Sequence, residues 1–405
     1  MTSLGLHLLM RGLSVVFVLY AAVVGGHFLL QTFYAHRSYR RSLRRAERER
    51  RLRAYTPSVD VVVPAYNETA ERLEACFESL LAQDYEGETR VFVVDDGSPN
   101  RAEVAELYER YGALEGWRVY LPENGGKRHA QSLAFADCTS DLVVTIDSDT
   151  EIAPDGIRTI VSCFRNRRVG AVTGNVGASN HSTNLLTRLI GMRYWIAFNQ
   201  ERAAQGFFRS VLCCSGPFAV YRRDVLARVW EQYVTQTFRG VACTYGDDRH
   251  LTNLVLAEGY DVVYEPGAYA ITGVPTGLRE YLNQQLRWNK SFYRELLWSF
   301  QFLPNRPWYM TFELVVQVVL PLLLTTAIAA ALVFSVAVDP SYLLHYALTV
   351  TVMAVVRCSY AMVRNRDPRY LIFVLYGFLH AALLVPIRAR ALATLTDNSW
   401  GTRTA

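Results

Sequence analysis

Three carboxylate clusters carry the most pointed chemistry in this chain: Asp95 and Asp96 in VVDDGS, Asp147 and Asp149 in TIDSDT, and Asp247 and Asp248 in YGDDRH. Carboxylates so close repel one another unless a cation lies among them. The pattern therefore suits a divalent metal and a diphosphate, with oxygen ligands of the kind Mg²⁺ or Mn²⁺ prefers. A lone Asp-Asp pair is more often a turn or a helix cap. Three such clusters in one orderly chain argue for shared chemistry.

Other reactive residue types are informative by their scarcity. The seven cysteines form no CxxC pair and no metal-ligand spacing, which argues against a disulfide framework or a zinc site and fits a reducing compartment. Only two lysines occur, Lys127 and Lys290. Nucleotide bias accounts for arginine elsewhere, so the survivors mark positions where a compact ammonium serves and a planar guanidinium does not.

The elements that must position these residues follow from the hydrophobic pattern. Residues 59–64 (VDVVVP), 90–94 (RVFVV) and 142–146 (LVVTI) are near-continuous β-branched runs, the mark of strands buried on both faces. Each ends in polar, Gly- or Asp-bearing sequence, with helical sequence at 71–82 and 101–111 between them. The expected fold is α/β, a Rossmann-like doubly wound parallel sheet over residues 57–280, with ligands at the carboxyl ends of its strands.

Outside that domain the chain is strongly apolar, and hydrophobic residues reach 51% of its 405 residues. Residues 12–34, within an N-terminal anchor at 1–35, are long enough to span a ~30 Å hydrocarbon core and lack a small-residue cleavage site. A basic juxtamembrane linker follows at 36–56. Nine arginines against two glutamates between His36 and Arg53 place it on the cytoplasmic side, against anionic lipid rather than nucleic acid. Residues 281–310 are rich in Arg, Trp and Phe and belong at the membrane surface. Two crossings are expected within 311–363. In 364–395, the basic loop RNRDPR precedes an apolar piece interrupted by Pro386 and carrying Arg388 and Arg390, expected to lie in the interface or re-enter.

At this point the motifs resemble a known group, the inverting, processive family 2 glycosyltransferases that include cellulose, chitin and hyaluronan synthases. The resemblance runs in order through VVVPAYNE (61–68), VVDDGS (93–98), NGGKRHA (124–130), DSD (147–149), CSGP (214–217), GDDRHLTN (246–253), QQLRW (284–288) and WGTR (400–403). Within the group it is most similar to hyaluronan synthases and the rhizobial chitooligosaccharide synthases (NodC).

The resemblance implies a GT-A catalytic domain facing the cytoplasm of a multi-pass cell-membrane protein, with these residue roles. Pro64, Ala65, Tyr66 and Glu68 form the uridine pocket, with Asp95 and Asp96 beside the nucleotide. Lys127 reaches a donor phosphate, Asp147 lies with the UDP-sugar, and Asp149 holds the metal. Asp248 is the general base, with Asp247 beside it. Gln284, Arg287 and Trp288 form the QxxRW motif; Trp288 stacks on the acceptor sugar, and Cys214 lines the acceptor pocket. Trp400 and Arg403 lie in a gating segment, 396–405, that closes over the donor. For that segment to reach the donor, 370–395 must not cross, which leaves three crossings. So thin a conduit for a polysaccharide calls for self-association or a partner.

The subfamily signals divide. GDDR and RWNKSF resemble the hyaluronan group, which takes UDP-GlcNAc and UDP-glucuronate. A single N-terminal crossing and YWIAFNQERAAQ (194–205) resemble the chitooligosaccharide synthases, which use UDP-GlcNAc alone. On the catalytic motifs the expectation is a hyaluronan synthase, with the chitooligosaccharide synthase as alternative.

Overall fold

The computed structural model describes residues 3–398. Trp400 and Arg403 therefore lie outside the described residues.

The chain opens with one helix, α1 (Ser3–Glu49), then enters an alternating region: β1 (Val59–Ala65), α2 (Ala70–Leu81), β2 (Thr89–Asp95), α3 (Arg101–Gly112), β3 (Trp117–Tyr120), α4 (Lys127–Asp137), β4 (Leu142–Thr145) and β5 (Thr150–Ile152). Next come α5 (Gly156–Val161), β6 (Val169–Ala178), α6 (Leu185–Ile196), α7 (Ala203–Phe207), β7 (Ala219–Arg222), α8 (Arg223–Val234) and a small hairpin of β8 (Thr237–Phe238) and β9 (Val241–Ala242). The region closes with α9 (Asp247–Ala257), β10 (Asp261–Thr272) and α10 (Leu278–Ser299), and the long helices α11 (Trp308–Ala337) and α12 (Ser341–Asn365) follow.

Eight strands form one sheet in the order β3-β2-β1-β4-β7-β6-β10-β5. The β-branched runs are buried on both faces, as the sequence implies. Val61, Val63, Val91, Val93 and Val144 enter one core, while Val62, Phe92, Val94 and Val143 enter the opposite one. The expectation of an all-parallel sheet is corrected. β7 runs antiparallel to both β4 and β6, and β5 runs antiparallel to β10. The reason is local: β7 starts opposite Thr145, the last residue of β4, so the loop before β7 lands at the site end of the sheet. CSGP thereby meets the DSD turn.

A second correction concerns residues 36–49, which are not a separate linker but the second half of α1. Ser42 Oγ donates to Glu265 at 2.6 Å, and Arg45 pairs with the same carboxylate. Arg165 binds Glu49 at 2.9 Å, and the Arg41 guanidinium lies 3.6 Å from the Phe207 ring centre. Two arginines of the basic block, Arg41 and Arg45, are thus tied to the sheet domain.

By length and composition, four helical stretches among the described residues can cross a bilayer: Val18–Glu49, Trp308–Ala337, Ser341–Asn365 and Pro368–Ala393. The last is an unbroken pile of 3₁₀, α and π turns, with a π turn at His380–Leu384 just before Pro386. Such a wide turn accommodates a residue without an amide N–H. This stretch lies beside α10: the Tyr281 and Tyr376 hydroxyls are 2.7 Å apart, and Arg294 reaches the Leu395 carbonyl at 2.8 Å.

Candidate active site

The first turn of the site follows β1 and β2. Asp95 ends β2 and is wholly buried; its oxygens accept from Ser98 N (2.8 Å), Arg101 (2.8 Å) and Tyr108 Oη (2.8 Å). Burial opposes its charge, but these donors outweigh it and hold its carboxyl below the ordinary range. Asp95 therefore braces the loop, with both of its oxygens taken up by Ser98, Arg101 and Tyr108. Asp96 accepts from the Gly125 and Gly126 amides at 2.9 and 2.8 Å, fixing the NGGK loop that delivers Lys127. Burial pushes its carboxyl up, against the pull of those two amides. Pro64, Tyr66 and Glu68 are part-exposed at the end of β1, while Ala65 is buried, its carbonyl accepting the Asp96 amide at 2.8 Å.

The second group lies where β4 ends. Lys127 Nζ is 2.6 Å from Asp147 Oδ1. Burial works against the ammonium, but Asp147, Asp248 and Asp247 overcome it and raise its pKa, so Lys127 stays charged. Asp149 accepts from Thr272 Oγ1 at 3.0 Å. Burial, then the neighbouring Asp147 and Glu68 carboxylates, push Asp149 up to about 6. A carboxyl strained in this way gains from a bound cation.

Asp247 and Asp248 open α9, where the helix N-terminus favours negative charge. Asp247 is buried against Arg128, which also donates to Tyr233 O and Gln236. This pair fixes Asp247 at the start of α9, from where its charge still acts on Lys127 and Asp248. Asp248 accepts from the Gly216 amide at 2.9 Å, and burial together with Asp147 and Asp247 pushes it to about 6, with Lys127 opposing. A Cβ at Gly216 would lie 2.9 Å from Asp147 Oδ2 and 3.1 Å from Asp248 Oδ1. Glycine keeps the space between these carboxylates open.

The QxxRW residues lie on α10. Trp288 is 48% exposed, its ring centre 6.5 Å from that of Tyr194, and Arg287 is half-buried. Gln284 Oε1 is buried with no hydrogen-bond partner among the described residues. Cys214 is fully buried in the core, its amide donating to Thr252 Oγ1 at 2.8 Å. It supports the CSGP loop from beneath.

Several residues that build the site carry no signal of that role in the sequence. Gly216 stands in the CSGP motif, but nothing there marks it as the gap between two carboxylates, and Thr272 reads as the end of a strand. Glu295 is buried on α10 and accepts from His250 Nδ1 (3.0 Å) and Asn253 Nδ2 (2.8 Å), which locks α9 to α10. His250 and Asn253 stand in the GDDRHLTN motif, and their i, i+3 spacing on one face of α9 hints at a shared partner.

Among the described residues no three metal-binding side chains gather into a cage. That arrangement fits an ion held by one or two carboxylates and completed by substrate phosphates and water. Asp149, at the turn beside Asp147, is a carboxylate that could hold such an ion.

Comparison with known proteins agrees with this architecture. Residues 60–230 match the model of the family described as Glycosyl transferase family 2. An N-acetylglucosaminyltransferase of Sinorhizobium fredii is 43% identical over 348 residues, covering 86% of this chain and 84% of the relative. One of Mesorhizobium japonicum is 43% identical over 350 residues, covering 86% and 82%. Among solved structures, a mannosyltransferase from Pyrobaculum calidifontis in complex with GDP-Man and Mn²⁺ aligns with a TM-score of 0.60 at 21% identity, covering 90% of this chain and 98% of that one. It shares the GT-A fold. With the strand-end carboxylates, the Gly216 gap and these relatives together, the chain belongs to the family 2 glycosyltransferases and is a sugar-transferring enzyme similar to these N-acetylglucosaminyltransferases.

Proposed function

We propose that this chain is a membrane-bound, inverting N-acetylglucosaminyltransferase that builds a β-linked chitooligosaccharide from UDP-GlcNAc alone. The observation that carries the substrate is the 43% identity, across most of both chains, to relatives named N-acetylglucosaminyltransferase. The expectation of a hyaluronan synthase, with UDP-glucuronate as second donor, gives way to its alternative.

The geometry supports a single displacement. The acceptor hydroxyl oxygen attacks the anomeric carbon as the bond to the diphosphate oxygen breaks, and the hydroxyl proton passes to Asp248, the carboxylate held by the Gly216 amide. Lys127 sits where it can hold a donor phosphate, and Arg287 adds a cation near the diphosphate. Trp288 offers an exposed aromatic face to the acceptor sugar, and the unsatisfied Gln284 Oε1 is a ready acceptor for a sugar hydroxyl. Pro64, Tyr66 and Glu68 border the uridine. Asp149 would hold Mg²⁺ or Mn²⁺, which when bound neutralises charge on the departing UDP.

We read the catalytic domain as cytoplasmic, with crossings by α1, α11 and α12. Pro368–Ala393 lies in the interface, a placement supported by the Tyr281–Tyr376 contact with α10 and by the bond from Arg294 to Leu395 just beyond the stretch.

The test is turnover in nanodiscs with Mg²⁺ or Mn²⁺, using Asp248→Asn as control. Chitinase-sensitive oligomers from UDP-GlcNAc alone are expected. Product that requires UDP-glucuronate and is cut by hyaluronidase would overturn the proposal.

A further inference from the structure

Beyond the catalytic carboxylates, a polar clamp ties α10 to the chain just after Ala393. Lys290 is 1% exposed, and its Nζ donates to Asp397 Oδ2 at 2.9 Å and to Asp397 O at 3.1 Å. One turn on, the buried Arg294 donates to Leu395 O at 2.8 Å and to Asn398 Oδ1 at 2.8 Å. A charged side chain is buried this completely only when it is well paired.

The same short segment also grips the approach to α9. Tyr245 Oη donates to Asp397 O at 2.7 Å, Thr244 Oγ1 donates to Asn398 O at 2.8 Å, and Asn398 Nδ2 reaches back to Ala242 O. Gly246, the residue before Asp247, has φ +90°, and a Cβ there would lie 2.3 Å from Ser291 Oγ. The turn 244–246 is thus held between α10 and residues 395–398, and Asp248 is the second residue of the helix it launches.

We propose that Lys290 and Arg294 are positioning residues which, through Asp397 and its neighbours, fix the turn that aims Asp248. The idea rests on the reading of Asp248 as general base. A positioning role of this kind acts on the transition state, so it lowers kcat while leaving the donor KM nearly unchanged.

The experiment compares Asp397→Asn, Lys290→Met and their double variant, measuring kcat and KM with UDP-GlcNAc and hydrogen exchange of residues 242–248. Asp397 is half-exposed, so its variant should fold even if the buried Lys290→Met does not. Expected are a roughly 3- to 10-fold fall in kcat for Asp397→Asn, as suits a screened charge-assisted bond, with KM within about twofold. The double variant should be no worse than the poorer single, Lys290→Arg should not rescue, and exchange at 242–248 should quicken. A kcat equal to wild type in Asp397→Asn, or single effects that multiply in the double, would overturn the proposal. If the wild type fails to turn over UDP-GlcNAc, the functional reading falls, and exchange at 242–248 in Asp397→Asn still decides whether the clamp orders the turn: unchanged exchange sinks it.

Discussion

In both Asp-Asp pairs the first carboxylate is taken by an arginine, Asp95 by Arg101 and Asp247 by Arg128, while the second is held by backbone amides. Two adjacent charges are tolerable because one is paired with a guanidinium and the other with backbone amides. The sequence displays both aspartates of each pair equally; the arginine partners of Asp95 and Asp247 lie 6 and 119 residues away and cannot be seen from the motif. Asp248→Asn should lower kcat by about 10²- to 10⁴-fold with donor binding retained, as measured by turnover and UDP-GlcNAc titration. The base works only when ionised, so with Asp248 at about 6 the rate should fall as pH drops below that value, against about 3.9 for an unperturbed aspartate. Asp147→Asn removes a neighbouring like charge and should move this acidic limb to lower pH in a pH–rate profile. Gly216→Ala should cost about 10²-fold in kcat, because its methyl enters the gap between Asp147 and Asp248.

At the scale of elements, the sequence foretells the β-branched strands and the residues at their ends, since buried strands must be apolar on both faces. It is silent on β7. A four-residue strand, AVYR, has no periodicity long enough to reveal its direction, and only its pairing with both β4 and β6 does so. The α9–α10 junction is likewise a product of folding. Glu295 is buried, yet its bonds from His250 and Asn253 hold its carboxyl below the ordinary value. A carboxyl lowered on folding contributes stability that is present above its unfolded pKa, about 4.3, and is lost as pH falls through the lower folded value. Glu295→Ala leaves His250 and Asn253 without their buried acceptor and should cost about 3–5 kcal/mol, seen as a lower Tm in detergent.

For the whole molecule, the apolar stretches are legible because hydrocarbon demands length and composition, whereas their packing is not. The proposed three-crossing arrangement places the short turn between α11 and α12 outside the cell and the loop after α12 inside. A cysteine at Asp339 should then react with a membrane-impermeant maleimide in intact cells, while one at Arg366 should react only after lysis. Labelling of both from outside would sink the arrangement. The sequence also divides anchor from linker where the structure has one unbroken α1, since a change from apolar to basic residues does not interrupt a helix. Fifteen residues of that helix, 35–49, rise about 22 Å beyond the apolar stretch, bonded through Ser42, Arg45 and Glu49 to the sheet domain. In the proposed membrane arrangement it would act as a strut that sets the stand-off between bilayer and sugar-transfer centre. On that arrangement, growth of the proposed oligosaccharide would be taken up by sliding of the product and not by rocking of the enzyme on its tether.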